Sequence, residues 1–119
     1  MDGAELLRLF GERLGRGDAS GAVALFTPDA HYQEPPAPAV EGRDALYMHL
    51  ADAAMRHSDV HFTVLRTISA PGGSPLAAEW RWSYTRTSDG KQKVFEGICV
   101  IEIQNGAIAH WRSFSSQVG

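Results

Sequence analysis

The chain has 119 residues, a formal net charge of -3 and one cysteine, and 44% of its residues are hydrophobic. This length predicts a single domain, residues 1–119, with one hydrophobic core. The acidic balance argues against a nucleic-acid-binding protein, and no apolar run is long enough for a membrane span. One cysteine cannot form an intrachain disulfide, and the N-terminus is acidic rather than signal-like, so we expect a cytoplasmic protein.

Two helices are predicted at the start of the chain. Asp2 and Glu5 form a capping-box pattern ahead of apolar residues at helical spacing, and this helix should end near residue 15. Asp18 is expected to cap a second helix over residues 19–26. This helix should be short, because Pro28 prevents its continuation. Both helices therefore precede the first strand.

A short strand, a loop and a third helix should follow. Residues 31–34 alternate and are cut off by two prolines, which predicts a strand of about four residues at an edge or rim of the sheet. Residues 35–40 contain too much proline for a helix or a ladder and predict an extended loop. A third helix is expected over residues 42–57, and one of its faces carries Leu46, Leu50 and Ala53.

Four longer strands are predicted in the second half, over residues 60–70, 76–87, 94–103 and 107–115. Asp89-Gly90 and Asn105-Gly106 are the residue pairs that suit hairpin turns with positive φ. Trp80, Trp82 and Tyr84 alternate, so one face of their strand is aromatic.

The order of the elements predicts the fold class. Three N-terminal helices ahead of a run of antiparallel strands are typical of an α+β domain, in which a strongly curved antiparallel or mixed sheet wraps the helices. We expect a cone of about five or six strands that encloses a cavity.

Several motifs in this order resemble the nuclear-transport-factor-2-like superfamily, with its cystatin-like cone fold, which includes SnoaL-like polyketide cyclases, ketosteroid isomerases and limonene-1,2-epoxide hydrolases. The resemblance covers nearly the whole chain. The motifs are Tyr32-Gln33-Glu34-Pro35, Glu41-Gly42-Arg43-Asp44-Ala45, Gly97-Ile98-Cys99-Val100-Ile101-Glu102-Ile103, Asn105-Gly106-Ala107-Ile108 and His110-Trp111-Arg112-Ser113-Phe114.

The resemblance implies a partial active site. Glu34 takes the place of the aspartate base of ketosteroid isomerases, so a carboxylate is retained there. Cys99 takes the place of their oxyanion-holding acid, a role that a thiol does not fill. The Asp–Arg–Asp set of limonene-type epoxide hydrolases falls at Trp80, Trp82 and Ser113, so that activity is not expected.

The candidate catalytic residues are Glu34 and Tyr32. A carboxylate at the mouth of an apolar cavity suits a general base, although a solvated rim residue or a partner for Arg43 is the simpler interpretation. Tyr32 suits either a hydrogen-bond donor to a ligand carbonyl or plain core packing. The residues expected to line the ligand site are Met48, Phe62, Trp80, Trp82, Phe95, Cys99, Trp111 and Ser113.

The tryptophans allow two interpretations. They suit the wall of a cavity for a flat hydrophobic small molecule, or they fill the core and leave little space. His57 and His61 have a ligand-like spacing, but they fall where a helix passes into a strand, so no metal and no cofactor is expected. Cys99 lacks neighbours that would activate it, so a buried inert thiol is expected.

The outer face of the sheet has no helix left to cover it. It mixes charged and apolar side chains, and a homodimer through this face is the expected arrangement, as relatives in the superfamily commonly form. The leading hypothesis is a SnoaL-like protein that binds a hydrophobic small molecule and acts as an isomerase, cyclase or dehydratase, with Glu34 as base. The alternative is a non-catalytic ligand-binding or dimerisation module of the same fold.

Overall fold

A computed structural model describes all 119 residues, and two helices open the chain. Helix α1 (Gly3–Gly15) begins after Asp2, whose side chain accepts a 2.8 Å hydrogen bond from the backbone N–H of Glu5. Helix α2 (Ala19–Val23) is capped in the same way by Asp18. Both caps agree with the sequence pattern. The buried face of α1 includes Leu6, Leu7 and Phe10.

The first strand is longer than predicted and begins earlier. Strand β1 spans Phe26–Gln33, so the prediction of a helix through residue 26 and a strand of about four residues was wrong. Pro28 lies inside this strand, where the ladder to its neighbour is irregular between Phe26 and His31. A proline without an N–H is tolerated at such a position. The residue that was interpreted as a helix stop therefore sits in a strand.

The third helix is attached to this first strand. Strand β2 (Val40–Glu41) pairs antiparallel with β1, and helix α3 (Arg43–Arg56) follows it. The Arg43 guanidinium donates two hydrogen bonds, of 2.9 and 2.6 Å, to the backbone carbonyl of Phe26. Arg43 is therefore engaged by the backbone of β1 and not by Glu34. The buried residues of α3 are Leu46 and Leu50.

Four long strands complete one six-stranded sheet. They are β3 (His57–Ser69), β4 (Leu76–Arg86), β5 (Gln92–Gln104) and β6 (Ala107–Gln117). The order across the sheet is β2-β1-β6-β5-β4-β3. All neighbours are antiparallel except β1 and β6, which run parallel and make the sheet mixed.

The last hairpin has the predicted turn. Asn105 and Gly106, with φ of 51° and 75°, are the two residues between β5 and β6. Positive φ at both central residues is what a type I′ hairpin requires. The Asn-Gly pair thus sets the register of the first pairs next to the turn, up to the shift between Glu102 and Ile103.

The sheet curves around the helices. Register shifts interrupt the β3–β4 and β5–β6 ladders, and bulges of this kind bend and twist strands. Helices cover the concave face, where the core lies, and leave the convex face bare. The predicted α+β cone fold is confirmed. None of the helices is both long enough and apolar enough to cross a membrane.

Candidate functional site

A cavity lies between helices α1 and α3 and the concave face of the sheet. Its volume is about 80 Å³. A buried water needs roughly 10–15 Å³ of such space, so the cavity has room for a few waters or one small organic molecule. Sites for drug-sized ligands are larger, at roughly 300–1,000 Å³. The aromatic residues of its wall are Phe10, Tyr32, Phe62, Trp80, Trp82 and Trp111.

Glu34 stands at the rim of this cavity, directly after the end of β1. The Tyr32 hydroxyl donates a 2.8 Å hydrogen bond to Glu34 Oε1. The Nε2 atom of His49, on α3, lies 3.6 Å from the same oxygen. Both contacts use Oε1, and Oε2 makes no hydrogen bond within the protein. The Glu34 side chain is 39% exposed, so it is neither in the core nor fully in solvent.

Tyr32 is held by its neighbours on both sides. Its ring stacks on Trp111 with centroids 5.5 Å apart, and the residue is only 6% exposed. Burial, and then the charge of Glu34, raise the pKa of the Tyr32 hydroxyl well above its usual value. The Tyr32 hydroxyl keeps its proton and donates it in the hydrogen bond to Glu34, so in this arrangement Tyr32 does not donate to a ligand carbonyl.

The three indole N–H groups differ in their partners. Trp111 Nε1 donates a 3.1 Å hydrogen bond to the Oγ of Ser113, which is 3% exposed. The Nε1 atoms of Trp80 and Trp82 are buried and make no hydrogen bond. Buried N–H donors of tryptophan usually find an acceptor, so these two donors call for an explanation.

The comparison with known protein families identifies the chain. The profile of the SnoaL-like domain matches residues 7–111, which is most of the sequence. The chain belongs to the SnoaL-like domain family. No curated protein sequence matches it.

Solved structures of several related kinds share the fold. A candidate isomerase of Bacillus subtilis superposes with a TM-score of 0.86 and 23% identity, over 95% of this chain and 85% of that one. SalBIII, an epoxide hydrolase/cyclase-like enzyme of pyran ring formation in salinomycin, superposes with a TM-score of 0.83 and 18% identity, over 95% of this chain and 89% of that one. A limonene-epoxide-hydrolase-like epoxide hydrolase of Mycobacterium tuberculosis superposes with a TM-score of 0.78 and 18% identity, over 95% of this chain and 84% of that one. At these identities the likeness shows the fold.

The structure places only some of the residues that were expected to line the ligand site in the cavity wall. The cavity is lined, together with Tyr32 and Glu34, by Phe62, Trp80, Trp82, Trp111 and Ser113. Met48, Phe95 and Cys99 do not.

Each of those three residues has a different environment. Met48 lies on the solvent side of α3 and is 69% exposed. Phe95 packs behind the wall, with its ring 5.7 Å from that of Trp82. Cys99 is fully buried in the core, and burial raises the pKa of its thiol to about 12, although the backbone N–H groups of Ala78 and Cys99, and then the Trp80 indole, oppose this effect. An inert thiol is the consequence.

Two histidines of the site were missed from the sequence. His49 follows Leu46 by three residues, so the helical spacing that placed Leu46 and Leu50 against the sheet also places His49 there. His57 lines the same cavity and stacks on Tyr84, with centroids 3.7 Å apart. Burial, and then the charge of Arg56, lower the pKa of His57. No group of three or more His, Cys, Asp or Glu side chains is arranged to hold a metal ion.

Proposed function

We propose that this SnoaL-like domain binds a small, mainly apolar molecule in the cavity and moves a proton on it with Glu34 as general base. The observation that carries the proposal is the arrangement of Tyr32, Glu34 and His49. One carboxylate oxygen of Glu34 is restrained by two neighbours, and the Glu34 side chain lines an aromatic cavity. A base needs this kind of fixed position near its substrate.

The reaction class follows from the chemistry of a lone carboxylate. Glu34 takes a proton from a carbon next to a carbonyl, and the electron pair of the broken C–H bond moves toward the carbonyl oxygen. Return of the proton from Glu34 to another carbon gives an isomerase. Attack of the carbanion on a second carbonyl forms a C–C bond, and the resulting alkoxide takes the proton from Glu34, which gives a cyclase. Loss of a β-hydroxyl, which takes the proton from Glu34 and leaves as water, gives a dehydratase. Each route uses only protein side chains as acid and base.

The similar structures support this class at the level of the fold, since they include a candidate isomerase and a cyclase-like enzyme. We do not propose limonene-type epoxide hydrolysis. Glu34 is the one carboxylate in the cavity wall. The places that resemble the epoxide hydrolase set hold Trp80, Trp82 and Ser113.

Isomerisation of 3-cyclohexen-1-one to its conjugated isomer tests the proposal, because the product absorbs in the ultraviolet. Glu34→Gln keeps the shape of the side chain and removes the base, so turnover should fall by about a hundredfold or more with little change in KM. Glu41→Gln is the matched control, since Glu41 lies on β2, outside the cavity wall, and bonds His31. Equal turnover of the wild type and Glu34→Gln would refute the role of Glu34.

The small cavity volume of about 80 Å³ favours a second candidate, a non-catalytic ligand-binding module of the same fold. In that case Glu34→Gln leaves every measured property nearly unchanged. Trp82→Ala, in contrast, abolishes ligand binding because it removes part of the wall. The two variants together therefore separate the enzyme from the binding module.

We also propose a homodimer through the convex face of the sheet. Three apolar side chains lie exposed there on neighbouring strands, Ile98 at 49%, Val100 at 45% and Phe114 at 55%. A stable pairing should bury roughly 1,200 Å² or more in total. Val100→Glu should weaken the association of the dimer, because it leaves an unpaired charge in the interface. A monomer of the wild type at micromolar concentration, in sedimentation, would refute the proposal.

A further inference from the structure

The hydrogen-bond donors of the cavity wall divide into two groups. The Tyr32 hydroxyl donates to Glu34, and the Trp111 indole donates to Ser113. These donors are satisfied within the protein. Trp80 and Trp82 also line the cavity, and their buried indole N–H groups have no partner. The wall therefore has two unpaired donors, and both come from strand β4.

The position of these two indoles is fixed by the sheet. Trp80 and Trp82 are two residues apart on one strand, so both side chains lie on its concave side. Trp80 pairs in register with Gly97 of β5, and a Cβ atom at Gly97 would lie only 2.7 Å from the Trp80 ring. Since glycine has no Cβ, the ring packs directly on the backbone, and Trp80 is 4% exposed. Water has little access to this N–H.

No neighbouring protein group satisfies the two donors. The Trp80 indole N–H is close enough to the Cys99 sulfur to lower the pKa of that thiol, but sulfur is a weak acceptor and the contact does not reach hydrogen-bond geometry. A buried donor without a partner destabilises the fold. An oxygen acceptor supplied by a ligand in the adjoining cavity would remove that cost.

We infer that the indole N–H groups of Trp80 and Trp82 bind the oxygen of the ligand, which is a small, mainly apolar molecule with a neutral carbonyl group. This inference rests on the proposed function, since it uses the same cavity. When Glu34 removes the proton next to the carbonyl, the C–H electron pair moves to the carbonyl oxygen, and N–H donors stabilise the charge that develops there.

The indole region of a proton–nitrogen correlation spectrum tests this directly. The chain has three tryptophans, so three indole signals are expected, and Trp→Phe variants assign them. Cyclopentanone is the probe, and methylenecyclopentane is its shape-matched control without an oxygen acceptor. The ketone should shift the signals of Trp80 and Trp82 downfield and leave the Trp111 signal close to its original position, whereas the alkene should shift none downfield.

Variants measure the size of the effect. Trp82→Phe keeps an aromatic wall and removes one donor, so the affinity for cyclopentanone should fall by about three- to tenfold while the affinity for the alkene stays constant. Trp80→Phe should do the same if its thermal unfolding shows an intact fold. Trp111→Phe is the control: since Trp111 lines the cavity, both affinities can change, but the ratio of ketone to alkene affinity should stay at the wild-type value because its N–H is paired with Ser113. Equal affinity for both probes, no detectable ketone binding, or a downfield shift of the Trp111 signal alone would each overturn the inference.

The inference and the proposed function fail separately. Glu34→Gln should slow proton transfer by about a hundredfold or more and leave the indole shifts intact. If the wild type binds the ketone through the two indoles but never exchanges its α-protons, the proposed reaction is wrong and the carbonyl site stands. If it exchanges the protons without any response of Trp80 and Trp82, the carbonyl site is wrong and the base stands.

Discussion

Replacement of Gly97 by alanine should disturb both the sheet and the candidate site. A Cβ atom at this position would lie 2.4 Å from the backbone oxygen of Phe114 and 2.7 Å from the Trp80 ring. Real side chains do not come so close, so at least one of the two groups has to move. Phe114 belongs to the β5–β6 ladder, in which Gly97 pairs with Ser115. Its carbonyl cannot rotate away without disturbing the ladder hydrogen bonds.

The expected cost follows from this geometry. Overpacking in a protein interior costs about 1–3 kcal/mol, and the upper half of that range applies because one of the two obstacles is backbone. For a chain of this size, 1 kcal/mol lowers the melting temperature by about 3–5 °C, a value between those for smaller and larger domains. Gly97→Ala should therefore lower it by about 6–15 °C.

Thermal unfolding followed by circular dichroism measures this change. Glu96→Ala is the matched control, because Glu96 precedes Gly97 on β5 and has an exposed side chain. The free energy of unfolding of this control should stay within about 0.5 kcal/mol of the wild-type value. Tryptophan fluorescence of the Gly97→Ala protein should also change, since Trp80 is displaced. A Gly97→Ala protein with the melting temperature and the tryptophan fluorescence of the wild type would refute the close packing of Trp80 on Gly97.

Three further predictions concern stability and reactivity. Leu46→Ala should lower the free energy of unfolding, measured by chemical denaturation, by about 2–5 kcal/mol, because Leu46 is fully buried in the core. The lowered pKa of His57 means that the folded state favours the neutral imidazole. The contribution of neutral His57 to the free energy of unfolding is therefore present above about pH 6.5, and it is lost as the pH falls through the lowered pKa of the folded state. His57→Phe should thus flatten the loss of unfolding free energy on acidification, and an unchanged pH profile would count against it. Cys99 should react with a thiol reagent only after urea unfolding, since it is buried and its pKa is about 12, and rapid reaction in the native protein would contradict this.

Local patterns predicted much of the fold. The alternation at Trp80 and Trp82 gave the concave face of β4, because strand periodicity depends only on sequence spacing. The Asn105-Gly106 pair gave its turn, because few residues accept positive φ at both positions. Pro28 led to the wrong prediction, because a proline can end a helix but can also lie within a strand where the ladder is irregular. Only the interrupted ladder between β1 and β6 distinguishes the two cases.

The candidate site was harder to predict than the fold. Cys99 and Phe95 face the concave side as expected, but periodicity does not say which part of that side is solid core and which part borders a space. Met48 lies on the solvent side of its helix, whereas His49, one residue later, reaches the rim. The contact between His49 and Glu34 joins the end of β1 to α3 across a proline-rich loop and β2, and the path of that loop is not set by any periodicity, so no local pattern reveals it.

The central claim is that Glu34 acts as a base on a ligand in the cavity, and deuterium exchange tests it most directly. Cyclopentanone in heavy water reports the removal of α-protons by nuclear magnetic resonance, whichever reaction follows the proton transfer. We predict that the wild type and Glu41→Gln accelerate exchange equally above the buffer rate, and that Glu34→Gln loses about a hundredfold or more of that acceleration. Exchange by Glu34→Gln at the wild-type rate, or none above buffer by the wild type, would contradict the account.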